Sequence, residues 1–577
     1  MAEEAKESKV EVAKRHSRHL RGKIAETLAG DAASFEHDDQ VSLKFHGIYQ
    51  QFDREARKAA GAGKADRQYS FMVRVKVPGG AMTADQYLAL DRLADERADG
   101  TLRITTREGM QFHGVLKGDL KAHIAGINAS LLSTLSACGD VARNVMTCPA
   151  PVQSDGLRQA QLLAKELAVE LCPRTGAYHE IWLDGEKVAS SENEEPFYGP
   201  QYLPRKFKTA IALPGDNCVD IFTQDVGLVA VLHDGVLTGV NVLVGGGLGM
   251  THGKDDTFAR LGTPLGYVNV EHAVDAVRTV AAVYRDFGNR SDRRHARLKY
   301  VVEQWGIEPF RDEFRRRVGF RLAPPVDTGP WEYHDHLGLH PQGDGRWFYG
   351  IFVENGRIKD VTVDNGSCHH RRLRSALREL VATLRPGVVL TPSQNILLTD
   401  LDRDAVDRVD ELLDDYGVVR SAKISLARRY SLACPAMPTC GLAISEAERV
   451  MPSVIDQFER ELAELGLAGE RLTIRMTGCP NGCARPYTAD IAFVGRSATT
   501  YDVFVGGSLL GDRLVDLFAE NVPLGELLPA LRPLLVEWAD DRRDGEGLGD
   551  YYQRVHGDGL TKTILTGAKA EKVASGE

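Results

Sequence analysis

The chain has 577 residues, of which 43% are hydrophobic and 26% charged, with a formal net charge of -10. That length supports three or more domain-sized units, and no apolar run approaches the roughly 20 residues of a membrane-spanning helix, so a cytoplasmic protein is expected. The negative balance argues against wholesale nucleic-acid binding, and nine cysteines are too sparse for a disulfide scaffold.

Residues 1–65 read as a charged N-terminal arm. From there the chain repeats its own grammar. "RQYSFMVRVKVPGG" through "GTLRITTREGMQFHGV" gives strand, turn, helix, strand, strand, and "GRWFYGIFVENGRIKD" through "PGVVLTPSQNILLTDL" gives the same series. After each comes a strand, hairpin, strand and glycine turn leading to a helix: "VDIFTQDVGLVAVLHDGVLTGVNVLVGGGLG" and "TADIAFVGRSATTYDVFVGGSLLG". The expected organisation is therefore an α+β chain in two similar halves. A half-domain over 66–145 pairs with another over 331–421, and α/β domains occupy 146–330 and 422–577.

Period two exposes cations. In "FMVRVKV", Phe71, Val73, Val75 and Val77 share one strand face and Arg74 and Lys76 the other. In "TLRITTREGMQFHG", Arg103 alternates with Leu102 and Ile104, Arg107 continues the polar set, and Gln111 and His113 flank Phe112. "RKFKTAIAL" sets Lys206 and Lys208 on one face. Taken singly, each is an ordinary solvent-facing charge. As a set, they suit an anionic ligand with several carboxylates. The arginine runs "GNRSDRRHARLKY" and "FRDEFRRRVGFR" read as solvated helix faces and as candidate docking patches for an acidic partner.

Four cysteines crowd together. "ACPAMPTCGLA" supplies Cys434 and Cys440, and "TGCPNGCARP" supplies Cys479 and Cys483. Cys₄ ligation fits zinc or an iron–sulfur cluster on count; the five-residue gap leans away from zinc, and the glycines let backbone N–H groups approach cluster sulfides. "VGGGLG" lacks the spacing of a dinucleotide fingerprint.

"CPAMPTCGLAISEAERVMPS" and "MTGCPNGCARPY", with "LKFHGIYQQ", "RITTREGMQFHG", "YLPRKFK", "VGGGLG" and "GNRSDRRHARLKY", closely resemble the assimilatory sulfite reductase hemoproteins of the sulfite and nitrite reductase superfamily. The resemblance implies that family's internally duplicated, pseudo-two-fold fold, with ferredoxin-like half-domains and two siroheme/cluster-type α/β domains. It also implies siroheme and a 4Fe-4S cluster joined through one cysteine. Carried over, Cys434, Cys440, Cys479 and Cys483 hold the cluster and Cys483 also ligates the siroheme iron. Arg74, Arg143, Lys206 and Lys208 surround sulfite. Arg103, Arg107, Gln111, His113, Arg290 and Asn481 contact the macrocycle, with "VGGGLG" as a turn against it. Cys148, just after Arg143, is expected to be inert or cross-linked to a neighbour such as Tyr69.

The resemblance further implies six-electron reduction of sulfite to sulfide in sulfur assimilation by a chain that is monomeric apart from its donor. Ferredoxin is the expected donor, with an NADPH flavoprotein subunit as the alternative. A ferredoxin-nitrite reductase is the neighbouring reading, and a zinc-stabilised binding protein the reading from another class.

Overall fold

The computed structural model describes residues 7–55, 67–174, 180–183, 186–190, 195–361 and 370–557. Two antiparallel sheets lie at its centre. In the first, Ile48–Phe52, Tyr69–Val75, Met110–Val115 and Leu102–Ile104 lie side by side, and the last place is taken by Arg357–Ile358 from the other half of the chain. In the second, Gly338–Pro341, Trp347–Ile351, Ile396–Leu401 and Gly387–Leu390 follow the same order, closed by Ala81–Met82 from the first half. Each half thus covers an edge of the other that would otherwise present unpaired backbone groups. The period-two pattern explains the burial: Phe71, Val73, Val75, Leu102, Ile104, Met110 and Phe112 pack with Ile351, Leu377, Leu398 and their neighbours in one continuous core. The two half-domains therefore fold as one body. The helix Ala84–Arg97 opens with a reciprocal cap between Thr83 and Gln86, which satisfies two otherwise orphaned backbone donors.

Two mixed sheets flank this body. One runs Met146–Thr147, Thr209–Ala212, Val226–His233, Val236–Val244, Thr263–Asn269; the other runs Leu432–Ala433, Ile474–Thr477, Ile491–Gly495, Thr500–Val505, Asp516–Pro523. In both, the first three strands are parallel and the rest antiparallel. The registers coincide as well. Val226 pairs with Thr209 as Ile491 pairs with Ile474, and Met146 pairs with Ala210 as Leu432 pairs with Arg475. Counting along equivalent strands makes Cys148 the counterpart of Cys434, Cys218 that of Cys483, and Asp220 that of Arg485.

The N-terminal segment is no loose arm. Ala13, Leu20, Val41 and Phe45 join the core of the first α/β domain, while Phe35, Leu43 and Ile48 join the central core. Because Ile48–Phe52 pairs with Tyr69–Val75, arm and half-domain share a sheet instead of meeting at residue 65.

Both arginine runs carry intrachain partners, while Arg294, Arg315 and Arg316 stay exposed. Arg293 binds Asp140, Arg294 binds Asp292 and Arg297 forks onto Asp225, while Arg311, Arg315, Arg316 and Arg317 pair with Glu308, Asp312 and Glu313 along their own helix.

Asp220 and Arg485 meet 2.6 Å apart, and Arg475 lies 3.3 Å from the same carboxylate oxygen, all three buried. Removing the carboxylate leaves two buried guanidinium groups unpaired, so Asp220→Ala should lower stability by about 3–5 kcal/mol, measured by denaturant unfolding with the cofactors bound.

Candidate active site

The cysteine loops follow directly after parallel strands. Leu432–Ala433 delivers Cys434, and Ile474–Thr477 delivers Gly478 and Cys479. Gly478 must be glycine, because a Cβ there would stand 2.5 Å from the Ser445 carbonyl. Its N–H donates to Cys434 Sγ at 3.4 Å, and Asn481 Nδ2 donates to Cys479 Sγ at the same distance. Asn481 therefore serves Cys479 in this structure. Burial, then Cys483, pushes the Cys434 thiol well up; the same two causes push Cys479 up to about 11. Thiols held protonated by burial and by a neighbouring cysteine, as Cys434, Cys440 and Cys479 are, give up their protons to a bound cationic centre. The two loops, each following a parallel strand, present a four-thiolate donor set of the kind that holds an iron–sulfur cluster or zinc.

The first central sheet turns a polar face toward these loops. Arg103 and Arg74 both stand opposite Gln111 in the strand registers. With its amide oxygen toward Arg74, Gln111 accepts from Nη2 at 2.5 Å and Nε at 3.1 Å. Arg74 Nη1 also donates to Cys138 Sγ at 3.0 Å. Arg103 donates to Glu448 at 2.9 Å and to the Ala433 carbonyl, next to Cys434, at 2.9 Å. Arg357 shares Glu448 at 2.7 Å, and the two guanidinium groups hold that carboxyl down at about 2 against its burial. Thr106 Oγ1 donates to the Cys483 carbonyl at 3.1 Å, tying sheet to loop. His113 is buried with neither ring nitrogen hydrogen-bonded, and burial followed by Arg357 keeps it neutral.

A second group converges from the first α/β domain. Arg143 Nη2 donates to the Gly139 carbonyl at 3.2 Å, and Tyr49 hydrogen-bonds the same guanidinium. Arg107 reaches Gln224 Oε1 at 2.8 Å and the Asn144 and Thr209 carbonyls at 2.5 and 3.1 Å. Both arginines keep Nε buried without a partner. Burial and then Lys208, Arg297, Arg205 and Arg143 push Lys206 well down. Burial, Arg297 and Arg107 bring Lys208 to about 7. Asp225, the carboxylate that opposes the lowering of Lys208, is already held by the Arg297 fork at 2.9 Å and accepts the Lys208 backbone N–H at 3.0 Å.

The glycine turn lies against the cysteine loop: Met250 N–H donates to the Pro480 carbonyl at 2.8 Å, and a Cβ on Gly249 would sit 3.1 Å from the Asn481 carbonyl. Arg290 stands apart. Its guanidinium is spent on Glu11 at 2.5 Å and on the Tyr202 and Arg285 carbonyls at 2.8 and 3.0 Å, so it clasps the N-terminal segment in place of a macrocycle. The cysteine beside the cations is Cys138. Cys148 faces Asp216 at 3.3 Å, while Tyr69 packs edge-on to Phe52 with ring centroids 6.3 Å apart, so the expected Tyr69–Cys148 neighbourhood gives way. Tyr49, Cys138, Asp225, Arg297 and Glu448 were missed from sequence. Arg297 hid in a run read as a solvated face, and Tyr49 lies in the segment read as an arm.

Comparison with known proteins agrees with this architecture. The description "Nitrite/Sulfite reductase ferredoxin-like half domain" matches residues 64–130 and 340–416, and "Nitrite and sulphite reductase 4Fe-4S domain" matches 162–322, the copy without the four cysteines. The chain is 43% identical over 560 residues to the sulfite reductase [NADPH] hemoprotein beta-component of Staphylococcus saprophyticus, covering 96% of each chain. It is 45% identical over 573 residues to the sulfite reductase [ferredoxin] of Synechococcus elongatus, covering 96% of this chain and 90% of that one. Among solved structures it resembles Mycobacterium tuberculosis NirA, with a TM-score of 0.76 at 24% identity over 94% of this chain and 95% of that one, a likeness of fold. The duplicated fold and these full-length relatives place the chain in the nitrite and sulfite reductase family, among the sulfite reductase hemoproteins.

Proposed function

We propose that the chain reduces sulfite to sulfide at a siroheme coupled to a 4Fe-4S cluster, within sulfur assimilation in the cytoplasm. The observation that carries this reading is the pair of half-buried lysines, Lys206 and Lys208, set among Arg143, Arg205, Arg297 and Arg107 with Cys483 near Lys208, and with Asp225 already taken by Arg297. Such a pocket is balanced only by an incoming anion. Thiols also fit a reducing compartment: all eight described cysteines are free. No helix among the described residues is long and apolar enough to cross a membrane.

Cys434, Cys440, Cys479 and Cys483 would hold the cluster, and Cys483 would also serve the siroheme. His113, with both ring nitrogens open, and the open Nε of Arg107 suit the macrocycle's carboxylates. Arg103 and Gln111 position their neighbours, and Asn481 tunes Cys479. When bound, the two groups supply reducing electrons. The overall change is SO₃²⁻ + 6e⁻ + 7H⁺ → HS⁻ + 3H₂O, so the residues must anchor an oxyanion and protonate three departing oxygens. Arg74 and Arg143 anchor, because a guanidinium does not give up its proton. Lys208, titrating at about 7, is matched to donate and be reprotonated near neutrality.

No nucleotide-binding motif is evident in the sequence, so the electrons come from a partner protein, which we take to be ferredoxin. An NADPH flavoprotein is the alternative. An anaerobic assay with reduced ferredoxin, NADPH flavoprotein or a reduced dye, offering sulfite or nitrite and measuring sulfide and ammonia, tests both assignments. The expected result is sulfide with ferredoxin. Ammonia from nitrite with no sulfide under any donor would overturn the substrate.

Lys208→Ala removes one cation from an anion with three oxygens to protonate. It should lower sulfite turnover by roughly 30- to 150-fold, on the order of 2–3 kcal/mol, with the siroheme absorption retained and nitrite turnover less affected. Equal losses on both substrates would make the lysine a general proton source.

The pH dependence has a definite sign. Lys208 carries its proton below about 7 and loses it above, so kcat/KM should fall as pH rises through about 7. The comparison is made on sulfite between the unaltered chain and Lys208→Arg, so that the substrate's own titration is common to both. Lys208→Arg should flatten that limb; an unchanged profile would assign it to another group.

A further inference from the structure

The pseudo-two-fold relation gives the cysteine site a counterpart, and that counterpart is not empty of chemistry. Cys148 and Cys218 occupy the positions of Cys434 and Cys483 in strands of matching register. Around them, the positions that turn a polar face to the first site have become apolar. Arg103 pairs with Gln111 where Val389 pairs with Leu397, and Phe348, Val389 and Leu397 pack with Cys148 and Cys218 in one apolar cluster. Arg74 stands opposite Gln111 where Gly350 stands opposite Leu397. Gly350 can carry no side chain, since its Cβ would lie 2.0 Å from the His336 carbonyl. The space that one half gives to an arginine is filled in the other by the segment bearing His336. His336 itself adopts the left-handed conformation, at φ 57°.

Four ligand atoms converge here. Cys148 Sγ, Asp216 Oδ, Cys218 Sγ and His336 Nε2 all lie within 4.8 Å of one another. Cys148 Sγ is 3.3 Å from Asp216 Oδ2 and 3.6 Å from His336 Nε2, and that nitrogen is 3.3 Å from the same Oδ2. Zinc bonds of about 2.3 Å to sulfur and 2.0–2.2 Å to nitrogen and oxygen set tetrahedral edges of roughly 3.4–3.8 Å. A nucleophilic Cys-His-Asp relay would use opposite ring nitrogens for thiol and carboxylate. Here one nitrogen faces both, as donors do when they aim at a common centre. Asp216 is already oriented for this: Oδ1 accepts the Cys218 and His334 backbone N–H groups at 3.0 and 3.3 Å, leaving Oδ2 to point inward. A cavity of about 480 Å³ lined by Cys148, Asp216, His336, His334 and His340 provides an entry path.

We propose that Cys148, Asp216, Cys218 and His336 form a tetrahedral zinc site, the counterpart of the iron–sulfur centre reduced to a single ion. Two thiolates, an imidazole and a carboxylate are the donor set of a borderline-soft, redox-inert cation, and four protein ligands leave no open position, so its role is structural.

The test is zinc analysis and zinc-edge X-ray absorption on the holoenzyme, purified anaerobically and equilibrated with buffered zinc. The expected result is one equivalent of zinc per chain beside the iron, with two sulfur neighbours at about 2.3 Å and two nitrogen or oxygen neighbours at about 2.0–2.2 Å. His336→Asn and Cys218→Ser should each weaken zinc retention by roughly tenfold or more while the siroheme absorption persists. Substoichiometric zinc at saturation, a shell without sulfur, or zinc retained unchanged in both variants would overturn the site. Should a variant fail to fold, the spectrum of the unaltered holoenzyme decides alone.

Discussion

The ion pair between Asp220 and Arg485 is the contact on which the two halves turn. Across a two-fold axis a residue near the axis meets its own counterpart, and these two are counterparts by strand register, 2.6 Å apart. Both also adopt the left-handed conformation, at φ 48° and 57°. Identical charges in those places would repel in a buried, low-dielectric contact, whereas Asp against Arg attracts. Duplication alone therefore could not have produced this interface; one copy had to change sign. Arg475, on the same carboxylate, and the Pro392 carbonyl, which accepts from Arg485 at 3.0 Å, extend the lock into the central body.

Once the halves differ at the axis, they are free to differ at the sites on either side. One face keeps Arg74, Arg103, Gln111 and His113. Its counterpart carries Gly350, Val389 and Leu397 at matched positions. The same scaffold thus presents cationic and polar groups in one place and four converging donors in the other. The difference comes from side-chain size and polarity at matched positions, while the backbone stays the same.

Holding several cations together in a buried pocket is unfavourable by itself, and the fold offsets it from beneath. Asp140 takes Arg293 at 2.8 Å, Lys14 at 3.5 Å and Arg205 at 3.7 Å, and Asp225 takes Arg297. These carboxylates hold the surrounding arginines without reaching the ammonium groups of Lys206 and Lys208. The N-terminal segment takes part, since Lys14 and Glu11 belong to this network and Arg290 anchors Glu11. The resulting cluster is positive, with Lys208 near its neutral point.

Much of this was legible in the residues. Alternation in "FMVRVKV" and "TLRITTREGMQFHG" gave the strand faces, because side chains on a strand must point to opposite sides. The repeated strand and helix order gave the duplication, and the two cysteine pairs gave the metal-binding loops, because chelation from one loop depends on local spacing. What local spacing does not carry is partner choice between distant segments. The exchange of Ala81–Met82 and Arg357–Ile358 between sheets, the commitment of Arg290 to Glu11 and of Arg103 to Glu448, and the replacement of Cys148 by Cys138 beside the cations are pairings across tens to hundreds of residues. A guanidinium in a sequence is only a donor with reach. Which acceptor it finds is settled by packing, and so only the tertiary structure decided which cations remain open to a substrate and which hold the fold together.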